Sequence, residues 1–130
     1  MTHPLVRHPR QADTPVSHLP FSPSVAFGDL IFVSGQASVD EHSAIVSDTF
    51  EGEFRRSVAN LAKVLEAAGS DLAHVLQTRN YVRDDEELPL YNRLYAEVFQ
   101  PPYPARTTIV KCLGAALRYE IEAIAVARRS

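Results

Sequence analysis

From residue 25 onward, apolar positions along the chain repeat with two different periods. Val25-Ala26-Phe27 and Leu30-Ile31-Phe32-Val33 are short β-prone runs on either side of Gly28-Asp29, a pattern that predicts a hairpin. The second run stops at Ser34-Gly35-Gln36. The period then lengthens. Phe50, Phe54, Val58, Leu61 and Leu65 recur at intervals of four, four, three and four, which puts one apolar stripe on a helix. Asp48 with Glu51 reads as a variant capping box at its start, and Gly69 as its stop. Val75 to Val82 is the next predicted strand, with Leu76, Thr78, Asn80 and Val82 on one face. A second helix is predicted from about Pro89, with the stripe Leu88, Tyr91, Leu94, Tyr95 and Val98. Pro101, Pro102 and Pro104 prevent its continuation.

Two strands are predicted to close the chain, Thr107 to Lys111 and Leu117 to Ala127, joined through Leu113-Gly114-Ala115-Ala116. In the last, Leu117, Tyr119, Ile121, Ala123 and Ala125 face one way, and Arg118, Glu120, Glu122, Ile124 and Val126 the other. Neither face is cleanly polar, so a sheet covered on both sides is expected. The expected fold is α+β, six strands and two helices in the order ββ-α-β-α-ββ, with the helices on one face. The other face calls for a partner, and a second copy of the chain is the simplest one. Residues 1–17 hold Pro4, Pro9 and Pro15 among few apolar positions and read as a loose arm. Residues 18–130 read as a single domain.

Composition narrows the function classes. At 130 residues, 45% hydrophobic and 22% charged, the chain suits one globular domain. No apolar run approaches the roughly 20 residues of a membrane span, and the N-terminal segment lacks a leader's apolar stretch. One cysteine, Cys112, excludes an intramolecular disulfide, and a cytoplasmic location is expected. A net charge of −3 lacks the basic footprint of a nucleic-acid binder. The histidines at positions 3, 8, 18, 42 and 74 show no metal-ligand spacing, and no phosphate-binding glycine motif is present.

Three features offer chemistry. Arg106 follows Pro104-Ala105 and opens a strand, so a stiff segment presents its guanidinium. Ser34-Gly35 ends a strand, where free backbone N–H groups and a missing Cβ let a small anion approach. Glu120 lies on the mixed face of the closing strand beside Glu122. On pattern alone, Arg106 also reads as a surface or ion-paired arginine, and Glu120 as its partner or another solvated acid.

The segments LIFVSGQ (30–36), NLAKVLEAAG (60–69), YNRLY (91–95), PART (104–107) and YEIEAIA (119–125) resemble the RidA/YjgF family in order and spacing, across residues 19–128. The resemblance implies a chorismate-mutase-like fold, a mixed six-stranded sheet with two helices on one face, and a homotrimer whose sheets form a central barrel. It also implies clefts between subunits that hydrolyse reactive 2-imino and 2-enamino acids to 2-keto acids and ammonia, with neither cofactor nor metal. The family's carboxylate-binding arginine falls on Arg106 and its pocket glutamate on Glu120. Its Ser-Gly pair falls on Ser34 and Gly35, and a pocket asparagine on Asn92. Its tyrosine falls on Phe21, in Leu19-Pro20-Phe21, a departure that bears on substrate choice. A trimeric small-ligand-binding or chaperone-like protein of the same fold is the alternative. The ribonuclease label that the family also carries fits poorly with the acidic net charge and the absence of interleaved basic and aromatic positions.

Overall fold

The alternating runs and the two helical stripes assemble into one mixed sheet backed by helices. The computed structural model describes residues 3–15 and 17–129. Residues 1, 2 and 16 of the expected arm, and residue 130 of the expected domain, lie outside the described residues. The strands are β1 (Val6–Arg7), β2 (Ser24–Phe27), β3 (Leu30–Ala37), β4 (Val75–Val82), β5 (Ala105–Val110) and β6 (Tyr119–Val126). The longer helices are α1 (Phe50–Ala67) and α2 (Leu88–Val98). The sheet order is β1-β2-β3-β6-β4-β5. Every neighbouring pair is antiparallel except β4 and β5. That parallel pair requires a crossover, and α2 provides it.

The order ββ-α-β-α-ββ names only five strands. The sixth is β1, inside the segment read as a loose arm: Val6 pairs with Phe27 and Arg7 with Ala26. The Arg7 guanidinium also donates to the Gly28 carbonyl at 2.8 Å. A two-residue edge strand is too short to show alternation, and only the pairing reveals it.

The core lies between the helices and one face of the sheet. Phe50, Phe54, Val58, Leu61 and Leu65 are all buried, as are Ile31, Val33, Ile121, Ala123 and Ala125 beneath them. Phe54 packs on Tyr119 with ring centroids 4.8 Å apart. Burying each large apolar side chain contributes about 1.5–3 kcal/mol. The cap of α1 is Thr49, whose side chain accepts from the Gly52 N–H at 3.1 Å. Asp48, the expected cap, lies one residue too early and instead accepts from the Thr49 N–H at 2.7 Å. Gly69 follows the helix at φ +83°, where a Cβ would be strained.

Leu76 also departs from expectation. A bulge between Val75 and Gln77 breaks the register against β6, so Val75 is buried and Leu76 is exposed. Thr78, Asn80 and Val82 keep the predicted common face, and it is buried. β6 begins at Tyr119 rather than Leu117, because Lys111, Leu113 and Gly114 turn the chain with positive φ. On the sheet's second face, Phe27, Leu30, Phe32 and Ile109 stand 40–45% exposed.

Candidate functional site

The prolines after α2 turn the chain into edge strand β5, where Arg106 pairs in register with Thr78 of β4. Thr78 points into the core, so Arg106 faces the helices. Its guanidinium carbon lies 5.0 Å from the Tyr91 ring centroid and 4.9 Å from that of Tyr95. These rings, one turn apart on α2, form a cation–π support. Among the described residues no carboxylate pairs with Arg106. The guanidinium borders a cleft of about 330 Å³ lined by Asn92, Tyr95, Ala96, Tyr103 and Pro104. Burial pushes the Tyr91 phenol up to about 12 and also raises that of Tyr95. Both are neutral at physiological pH. The cleft is thus a fixed cation in an aromatic setting, suited to a planar carboxylate.

The other predicted residues gather around Glu120. Ser34 and Gly35 do not end a strand as expected: β3 continues to Ala37, and the pair forms a bulge within it, where the register with β6 slips between Val33 and Gln36. The expected free N–H of Ser34 is taken: it donates to the Pro23 carbonyl at 3.0 Å. Its hydroxyl donates to the Ser22 carbonyl at 2.6 Å. Ser34 therefore ties down the segment that carries Phe21, which is half exposed. Gly35 is glycine for a steric reason: a Cβ there would meet Glu120 Oε2 at 2.0 Å. Phe21, Leu19, Pro23, Gly35, Leu117 and Glu120 share the wall of a second cavity of about 260 Å³. Burial, with a smaller contribution from Glu122, raises the Glu120 carboxyl above its ordinary range. A carboxyl raised in this way holds its proton to higher pH than an exposed glutamate does.

Arg106 and Glu120 do not meet within one chain. Glu120 pairs in register with Tyr81, whose hydroxyl donates to Glu122 at 2.6 Å on the sheet's second face. Arg106 belongs to the helix-covered face. The sequence positions therefore divide into an Arg106–Asn92 group and a Phe21–Ser34–Gly35–Glu120 group, on opposite sides of one sheet. Tyr95 and Tyr103 were missed as cleft residues. Tyr95 reads as part of a core stripe, and its place four residues after Tyr91 was the available signal for a cation support. Among the described residues, no three His, Cys, Asp or Glu side chains gather to hold a metal, and no helix is long and apolar enough to cross a membrane.

The sequence pattern of the family described as endoribonuclease L-PSP matches residues 11–127. The chain is 31% identical over 109 residues to 2-iminobutanoate/2-iminopropanoate deaminase of Dermatophagoides farinae, covering 82% of this chain and 85% of that one. It is 37% identical over 90 residues to the mitochondrial protein mmf2 of Schizosaccharomyces pombe, covering 69% and 71%. The solved structure of the YjgF gene product of E. coli superposes with a TM-score of 0.82 at 28% identity, over 94% of this chain and 99% of that one. With the sheet order, the helix-backed core and a match across nearly the whole chain agreeing, the protein belongs to the RidA/YjgF family.

Proposed function

We propose that the protein hydrolyses reactive 2-imino and 2-enamino acids to 2-keto acids and ammonia, without a cofactor, at a site completed between subunits of a homotrimer. The observation that carries this reading is the division of the site. An arginine with no carboxylate partner among the described residues lies on one face of the sheet, and a half-buried glutamate with a raised carboxyl on the other. A neighbouring copy that covers the exposed apolar face can bring its own Glu120 cavity to the Arg106 cleft. The deaminase name borne by the Dermatophagoides farinae relative supports the reaction class.

The chemistry requires positioning more than a strong nucleophile. Arg106 grips the substrate carboxylate through two parallel hydrogen bonds and fixes the imine carbon for attack. Asn92, on the cleft wall, offers a polar contact to the substrate. As water oxygen bonds to that carbon and the C=N π pair moves to nitrogen, Glu120 takes one water proton and passes it to nitrogen. It then takes the hydroxyl proton of the resulting carbinolamine and delivers it to nitrogen as C=O forms and the C–N bond breaks. The products are the 2-keto acid and ammonia, so atoms and charge balance. Phe21 presents an apolar wall, which favours imines with larger side chains; selectivity from such a wall is modest, at ~1–3 kcal/mol per methylene.

The test uses imines generated in place by an amino-acid oxidase, with ammonia release as the readout. Arg106 is exposed in the single chain and would be desolvated only by the neighbouring copy. With that copy in place, Arg106→Ala should lose a factor of roughly thirty to several thousand, the usual cost of removing one partner of a desolvated charge pair. Arg106→Lys should fail nearly as badly, because a point charge does not reproduce the planar fork. Unchanged turnover in either variant would move the site elsewhere. Ligand binding with no ammonia release by the parent would favour the non-catalytic binding protein.

A further inference from the structure

Beneath Arg106 lies a buried chain of hydroxyl and amide groups whose hydrogens can be assigned by elimination. Asn80, Thr78 and Tyr119 have no exposed surface, and Tyr95 is 4% exposed. Asn80 Nδ2 lies 3.3 Å from the Thr107 carbonyl oxygen and 3.0 Å from Thr78 Oγ1. A carbonyl can only accept, so it fixes which end of the Asn80 amide faces it. Asn80 Oδ1 must then accept from the Tyr119 hydroxyl, at 2.5 Å. The second Asn80 N–H goes to Thr78 Oγ1, which is therefore an acceptor there.

Thr78 still has its own hydrogen to place. Its other partner is the Tyr95 hydroxyl, at 2.7 Å. Leaving a fully buried hydroxyl hydrogen unmatched is costly, so Thr78 donates to the Tyr95 oxygen. Among the described residues the Tyr95 hydrogen is then left without a protein acceptor. Tyr91 differs: its hydroxyl pairs with Thr108 Oγ1 at 2.7 Å, a hydroxyl not committed to the Asn80 chain. Tyr95 lines the Arg106 cleft.

We propose that Tyr95 is a substrate-binding residue that donates its phenol hydrogen to the anion held by Arg106, with Thr78 and Asn80 as positioning residues that set this direction. The inference rests on the proposed carboxylate site and adds a second donor to it. Burial raises the Tyr95 phenol, so it retains that hydrogen at neutral pH. The arrangement also explains a polar cluster where leucine or valine would pack without any hydrogen bonds to satisfy.

Calorimetric titration with 2-oxobutanoate, a keto acid that the reaction cannot consume, tests the idea. Tyr95→Phe should weaken binding about ten- to hundredfold, the range for a hydrogen bond to a charged group. Asn80→Asp offers Thr78 an acceptor in place of a donor, so the Thr78 hydrogen turns away from Tyr95, Tyr95 donates to Thr78 instead, and binding should weaken several-fold. Thr78→Ser keeps the hydroxyl and should bind as the parent does. Tyr119→Phe removes a bond that does not decide the direction; it should lower the melting temperature and leave affinity unchanged. If Tyr95→Phe binds like the parent while Arg106→Ala does not, the Tyr95 role is wrong and the carboxylate site stands. If Arg106→Ala also binds normally, the site itself is wrong. Should Tyr95→Phe fail to fold, the Cζ resonance of Tyr95 in labelled parent protein decides. It should move when 2-oxobutanoate is added, and a resonance that stays put overturns the proposal.

Discussion

Gly35→Ala is a one-carbon probe of the Glu120 half of the site. The backbone at Gly35 is not left-handed, so alanine fits the local conformation without strain. The new Cβ meets Glu120 Oε2 at 2.0 Å and Glu120 Cδ at 3.0 Å. Ordinary contact between such atoms begins near 3.5 Å, so the carboxylate must retreat by more than about an ångström. It sits at the end of a flexible side chain and can do so at little cost to folding. Replacing a strand glycine itself offsets that cost by roughly 0.5–1 kcal/mol. The variant should therefore melt close to the parent while Glu120 is displaced from its working position. A misplacement of about 1 Å costs on the order of a hundredfold in rate. The assay is ammonia release from imines generated in place, run beside titration with 2-oxobutanoate. Turnover should fall about a hundredfold while keto-acid affinity, carried by Arg106, changes little. Undiminished turnover in a folded variant would refute a role for the Glu120 carboxylate at its present position.

Glu120→Gln addresses the same group through stability. Burial and Glu122 raise its folded value above the ordinary 4.5, so the folded chain holds this proton to higher pH than the unfolded chain. Stability is then unpenalised below the ordinary value and falls as pH rises through the raised one. The glutamine variant escapes that loss, so its melting temperature relative to the parent should be higher at neutral pH than in mild acid; an equal difference at both would contradict the burial. Thr49→Ala should destabilise the chain by about 1 kcal/mol in denaturant unfolding, as loss of a helix N-cap does, whereas Asp48→Ala should leave the cap bond intact. Phe32→Asp puts a charge on the exposed apolar face and should shift the light-scattering mass from that of the proposed trimer toward monomer. A parent that is already monomeric at micromolar concentration would remove the site between subunits.

Much of the fold is legible in the spacing of residues. The α1 stripe from Phe50 to Leu65 and the alternation of Tyr119, Ile121, Ala123 and Ala125 require particular faces to be buried, and those faces are buried. Period and burial are linked directly, since a helix or strand has only one way to present its apolar residues together. Local chemistry is less sharply written: Asp48 and Thr49 are both good capping residues, and the backbone conformation chose Thr49. Pairing is harder still. β1 has two residues, and the bulges at Leu76 and at Ser34-Gly35 arise from register against β6, a strand distant in the chain.

The candidate residues themselves were readable from the sequence, through the Pro-Ala-Arg segment and the family resemblance. Their division between two faces was not. Arg106 and Glu120 lie fourteen positions apart, and nothing in that interval says which side of the sheet each will take. The parallel pairing of β4 with β5 and the antiparallel pairing of β4 with β6 decide it, by setting Arg106 opposite Thr78 and Glu120 opposite Tyr81. The direction of the hydrogen bonds beneath Arg106 likewise depends on the Thr107 carbonyl facing Asn80 across two strands. Hydrophobic spacing determined what is buried. Strand register, a property of distant segments in contact, determined which polar groups face one another.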